Sequence, residues 1–180
     1  MKKQNCNIDI IMGIYNCEKY LEDCFNSLLA QTFKNWRLIM CEDGSSDNTL
    51  KVAESIAKKY PDKVLLLKNS KNMGLNYTLN KCLQRSSAKY VARQDADDLS
   101  APKRLEIEYN FLEKNPQYAF CSTAAKLIDE NGVWGQTKGK PNPSKNDFIY
   151  GSPFNHASSM VAITCYRINL SQFSFVFFDN

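Results

Sequence analysis

Tyr90-Val91-Ala92-Arg93-Gln94-Asp95-Ala96-Asp97-Asp98 passes within nine residues from an apolar run to three carboxylates. The first half reads as a buried strand, which places the acids at its carboxyl end. Carboxylates this close repel one another unless a cation sits among them. Their oxygens are hard ligands suited to Mg²⁺ or Mn²⁺, ions that commonly keep positions open for substrate phosphates. A divalent ion holding a diphosphate is one reading of this turn. The other is a solvated acidic loop capping the helix expected from about Pro102.

The same order of strand, polar turn and helix recurs on the amino-terminal side. Ile8 to Ile14 is a short apolar run, as expected of a strand buried on both faces, and it ends at Tyr15-Asn16. Leu21, Cys24, Phe25, Leu28 and Leu29 then mark one face of a helix from about Glu18 to Ala30. Trp36 to Cys41 reads as a strand entering Glu42-Asp43-Gly44-Ser45-Ser46-Asp47, followed by a helix with Leu50, Ala53, Ile56, Ala57 and Tyr60 inward. Val64 to Leu67 is the third strand, Asn72-Met73-Gly74 enters a helix burying Leu75, Leu79, Cys82 and Leu83, and Lys89 to Arg93 is the fourth strand. Beyond the acidic turn, a helix from about Pro102 to Lys114, a strand over Tyr118 to Ser122 and a hairpin turning at Asn131-Gly132 are predicted.

Strands alternating with helices across short connections predict an α/β fold with a mostly parallel sheet and helices on both faces. Ligands of such sheets bind beyond the carboxyl ends of the strands, near the point where strand order reverses. Tyr15-Asn16, Asp43, Asn69 to Gly74 and Asp95 to Asp98 all fall at that edge. Unrelated surface loops would have no reason to gather acids, amides and glycines there, so the edge is the expected site.

Glu42 to Thr49, Asn72-Met73-Gly74-Leu75-Asn76 and Gln94 to Asp98, in this order and spacing, resemble the nucleotide-sugar half of family-2 glycosyltransferases, which have the glycosyltransferase-A fold. Ile14 to Leu21 is similar to that family's first strand and turn, and Gln31-Thr32-Phe33 to its Gln-Thr-aromatic segment. The resemblance covers about residues 8 to 125. It implies a nucleotide-diphospho-sugar donor, with UDP favoured, a Mn²⁺ or Mg²⁺ cofactor, and inverting transfer to a glycan or lipid-linked acceptor. Asp43 would receive the N–H of the uracil ring, with Ile14, Tyr15 and Asn16 as further contacts to the base. Gly74 would let the backbone pass close to the nucleotide, although a plain helix-entry turn also explains it. Arg93 would reach phosphate or pair with an acid of the cluster. Asp95 and Asp97 match the family's Asp-x-Asp around Ala96; one carboxylate would bind ribose, and Asp97 or Asp98 would bind the metal.

After Val161 the likeness fades. Inverting transfer needs a base for the acceptor hydroxyl, and the late Glu-Asp segment that supplies it in this family has no counterpart here. Asn155 to Val161 is similar to the start of the acceptor region, which nominates His156 as an acceptor-side residue, with a structural role as its alternative. The one acid after Asp147 is Asp179, a weak candidate base in a chain end rich in phenylalanine. The last third is therefore expected to be truncated or altered. A catalytically impaired nucleotide-sugar-binding fragment is the competing expectation, separable by setting a binding assay beside a transfer assay. A nucleotidyltransferase is disfavoured, because no Gly-rich, basic triphosphate loop follows the first strand.

With 180 residues, 43% of them hydrophobic, the chain suffices for one core, read as a nucleotide-sugar-binding part over 1–125 and a partial acceptor-side region of the same domain over 126–180. A net charge of +4 without runs of like charge gives no sign of a nucleic-acid partner. Seven cysteines with no Cys-x-x-Cys spacing favour small core hydrophobes in a reducing cytoplasm. No signal peptide or membrane span is recognisable, so the chain is expected to be cytoplasmic, at most peripheral at the inner face of a membrane. The phenylalanine-rich end is expected to pack on the domain, and missing acceptor-side helices would leave apolar surface for a homodimer to cover.

Overall fold

A central strand, β1 (Ile8–Ile14), organises the computed structural model, which describes residues 6–137, 145–149, 152 and 154–163. It pairs in parallel with β2 (Trp36–Glu42) on one side and β4 (Tyr90–Arg93) on the other. Beyond β2 lies β3 (Val64–Lys68), also parallel. On the far side, β8 (Ser159–Ala162) runs antiparallel between β4 and β5 (Phe120–Ser122), giving the order β3-β2-β1-β4-β8-β5. A separate hairpin joins β6 (Lys126–Asp129) to β7 (Gly132–Gln136), with Glu130-Asn131 as its connection.

Alternation along β1 sends Ile8, Ile10, Met12 and Ile14 into one apolar cluster and Ile11 into another. The first cluster is closed by α1 (Leu21–Leu29), α2 (Thr49–Lys59) and α4 (Arg104–Lys114), through residues such as Phe25, Ile56 and Leu105. The second takes Leu79 and Cys82 from α3 (Leu75–Gln84) against Ile39, Cys41 and Val91. Helices thus cover both faces, as the alternating pattern predicts. Asp9, buried within β1, is satisfied by its register partner: Arg37 donates to its two oxygens at 2.8 and 3.0 Å, while the Ser87 and Ala88 N–H groups also donate to it.

Two helices start later than their periodicity suggests. α1 begins at Leu21 because Glu18 is held by the loop before α2: its N–H donates to Asp47, and its carboxylate accepts the Asn48 N–H. α4 begins at Arg104 because Gln31 and Thr32 bind the carbonyls of Ala101 and Pro102. Among the described residues, no helix is long and apolar enough to cross a membrane. Asp179 and the phenylalanine-rich end lie outside the described residues.

Candidate functional site

The reversal of strand order falls between β1 and β4, and a cleft of about 340 Å³ opens there, beyond the carboxyl ends of the strands. Ile14, Tyr15, Asn16, Asp43, Gly74, Asp95, Ala96 and Asp97 all line it. Arg93, Asp98 and His156 are not among its lining residues. Sequence reasoning missed Gly13, Cys17, Tyr20, Leu75 and Thr78 as walls, because each also fits an ordinary strand, helix or turn position.

Asp43 is buried and already engaged. Its Oδ1 accepts from Asn69 Nδ2 at 2.7 Å and the Met73 N–H at 2.8 Å, and its Oδ2 accepts the Gly74 N–H at 3.0 Å. Burial alone would raise its pKa, but donors from Asn69, Met73, Thr78 and Gly74 outweigh it and hold the carboxyl below the usual range. A carboxylate offers about four acceptor positions, so these four donors can occupy all of them, and a further donor would have to share or displace one. Asp43 therefore builds the turn entering α3 as well as facing the cleft. Gly44 permits this closeness: at φ +76° it lies where an added Cβ would stand 2.6 Å from the Asn72 nitrogen.

The segment Ser45 to Thr49 latches the first loop instead of facing the cleft. Asn16, at φ 48°, accepts the Ser46 N–H at 2.9 Å, while its own N–H donates to Ser45. The Cys17 N–H donates to the Thr49 hydroxyl at 2.8 Å. Asx- and Ser-type side chains make such backbone bonds readily, so the cleft-lining loop after β1 is held in shape by the segment after β2.

In the acidic turn, Arg93 pairs with Asp95 through two contacts, at 2.9 and 3.2 Å, the second of the two alternatives open for this residue. Gln94 clamps the turn by donating to the carbonyls of Asp95 and Asp98, and Ser100 holds Gln94. Asp97 is exposed to the cleft. Asp98 is exposed as well, yet burial around its carboxyl and the charges of Asp95 and Asp97 raise its pKa. Among the described residues, no three His, Cys, Asp or Glu side chains form a metal cage. One acid on an open cleft with a second next to it in the chain nevertheless suits Mg²⁺ or Mn²⁺, which take one or two carboxylates and fill the remainder with phosphate and water. Asp97 and Asp98 fit such an ion, because Asp95 already has a cationic partner.

His156 stands in a short 3-10 turn, His156–Ser158, ahead of β8, with its ring edge-on to Phe154 at 5.4 Å. Asn155 caps this turn by accepting the Ala157 N–H.

The family model for glycosyl transferase family 2 matches residues 9–169, well past the stretch whose motifs carry the resemblance. EpsE of Bacillus subtilis (strain 168) is 42% identical over 160 residues, covering 89% of this chain and 58% of EpsE. The Escherichia coli UDP-Glc:alpha-D-GlcNAc-diphosphoundecaprenol beta-1,3-glucosyltransferase WfgD is 30% identical over 171 residues, covering 94% of this chain and 64% of WfgD. The chain thus spans about three-fifths of the length of these relatives. The mannosyltransferase PcManGT from Pyrobaculum calidifontis, solved in complex with GDP-Man and Mn²⁺, superposes with a TM-score of 0.65 at 16% identity, covering 88% of this chain and 45% of that one. Such a match establishes the glycosyltransferase-A type of fold.

Proposed function

Because this chain belongs to glycosyl transferase family 2, we propose that its cleft holds a nucleotide-diphospho-sugar, UDP-linked in preference, for inverting transfer to a glycan or lipid-linked acceptor at the cytoplasmic face of a membrane. The observation that carries this reading is the convergence of four separate turns, after β1, β2, β3 and β4, on one cleft at the strand-order reversal. WfgD supports the choice of UDP and of a lipid-linked acceptor by its name, and the PcManGT complex supports the metal.

In this reading the base lies between Tyr15 and the Met73-Gly74 turn, with Asp43 accepting the imide N–H by sharing a position with one of its present donors. Arg93 holds Asp95 toward the ribose. Asp97, the acid of the pair that lines the cleft, binds Mn²⁺ or Mg²⁺ directly, and Asp98 supports it. A bound ion would neutralise charge growing on the diphosphate as the sugar leaves.

One observation favours a narrower reading, in which the chain binds the donor without efficient transfer. Among the described residues, the carboxylates lining the cleft, Asp43, Asp95 and Asp97, all come from the donor side, where an acceptor hydroxyl needs a base of its own.

Calorimetric titration of UDP, with GDP as control, in Mn²⁺ and in EDTA tests both readings alongside a sugar-transfer assay. The expected result is Mn²⁺-dependent UDP binding, weakened at least about tenfold in Asp97→Ala, a loss of about 1.4 kcal/mol. Equal binding in EDTA, or by Asp97→Ala, would overturn the metal assignment. A folded chain that binds neither nucleotide would overturn the donor site itself.

A further inference from the structure

α4 carries two buried ionisable side chains that the cleft does not use. Arg104 and Glu108 lie one helical turn apart, 6% and 2% exposed. Arg104 Nη1 donates at 3.1 Å to the carbonyl of Arg93, where β4 enters the acidic turn. The same nitrogen donates at 3.1 Å to the carbonyl of Ala157, inside the turn that carries His156. The remaining polar atoms, Nε and Nη2 of Arg104 and both oxygens of Glu108, make no hydrogen bond among the described residues.

Such an arrangement is poorly suited to stability alone. Two ionisable groups have been taken out of water and are incompletely satisfied, at a place where apolar side chains of similar size would fill the space without that cost. What the guanidinium does supply is a connection between two loops far apart in sequence. One bears the acidic turn and the other bears the acceptor-side histidine.

We infer that Arg104 is a positioning residue, setting the place of the His156–Ser158 turn relative to the acidic turn of the donor cleft. This rests on the donor reading of the cleft, and it adds that one side chain ties the two turns together beyond the β4–β8 pairing. A Lys at 104 would keep the charge but lose the planar fork that fixes its direction, so it is not an equivalent.

His156 is the only histidine in the chain, so its ring resonances report on that turn without ambiguity. The experiment compares these resonances, with and without UDP and Mg²⁺, in the parent, Glu108→Gln, Arg104→Lys and Arg104→Met/Glu108→Gln. UDP affinity is measured in parallel. In the parent and Glu108→Gln, UDP with Mg²⁺ should move the His156 signals. In both Arg104 variants the resting signals should differ from the parent's and the response should be lost, while UDP affinity stays within about threefold. Should the double variant fail to fold, Arg104→Lys alone decides. A parent that binds UDP without any change at His156, or folded Arg104 variants that keep the parental signals and response, would overturn the inference. Absence of UDP binding in the parent would instead sink the donor reading, and the resting signals would still test whether Arg104 places the turn.

Discussion

In the donor reading, Asp43 joins binding to folding in one side chain. It lines the cleft while its oxygens hold Asn69, Met73 and Gly74. An amide has a single acceptor oxygen where the carboxylate has two, so Asp43→Asn must leave at least one buried donor unpaired. The expected cost is about 1–3 kcal/mol in denaturant unfolding, together with weaker UDP binding. The sign of the pH effect is fixed by the lowered pKa. The folded state binds fewer protons than the unfolded one, so Asp43 contributes stability above its ordinary value of 3.8 that is lost as pH falls through its folded value. Asp43→Asn should therefore show a smaller further loss than the parent in acid unfolding below about pH 4. From the sequence, Asp43 was legible as a candidate cleft carboxylate beside a glycine. Its protein donors were not, because two of them are backbone N–H groups thirty residues away that only the folded turn brings near.

Turns, more than helices or strands, set the geometry of this cleft, and two glycines distinguish the ways they do so. Gly44 packs against a neighbouring turn, with an added Cβ falling 2.6 Å from the Asn72 nitrogen and 2.7 Å from the Lys71 carbonyl carbon. Gly74 has open space around it and is set apart only by φ +87° and ψ 155°, a conformation that other residues avoid. Gly44→Ala must therefore displace backbone as well as strain itself, with an expected loss above about 3 kcal/mol and abolished UDP binding. Gly74→Ala should cost about 1–3 kcal/mol and leave measurable binding. Thermal unfolding and UDP titration of the two variants provide the comparison, and equal losses would contradict it. The Gln31-Thr32 segment works at the same scale. Gln31 accepts the Leu105 N–H and donates to the Ala101 carbonyl, fixing where α4 begins and so where Arg104 stands. Its resemblance to a family motif was visible in the sequence, while its role as a brace for α4 was not.

The burial of Glu108 makes the stability of the whole molecule pH-dependent near neutrality. Desolvation pushes its carboxyl up to about 7, against the opposing pull of the Arg104 charge. Between its ordinary 4.5 and this value the folded state binds more protons than the unfolded one, so stability falls as pH rises through that window. The parent should lose up to roughly 3 kcal/mol across it relative to Glu108→Gln; parallel pH profiles of unfolding free energy for the two proteins would refute this. The sequence by itself determined the alternating strands and helices and the apolar faces of β1, α1, α2 and α3. It also placed the polar turns at one edge of the sheet, because periodicity and turn chemistry are local. Only the tertiary structure decided that β8 enters antiparallel between β4 and β5 and that Arg93 pairs with Asp95. The same holds for Ser45 to Thr49 serving as a latch and Arg104 reaching both Arg93 and Ala157. Those choices depend on contacts between residues distant in the chain, where register, burial and the satisfaction of buried polar atoms select among partners that local sequence leaves equivalent.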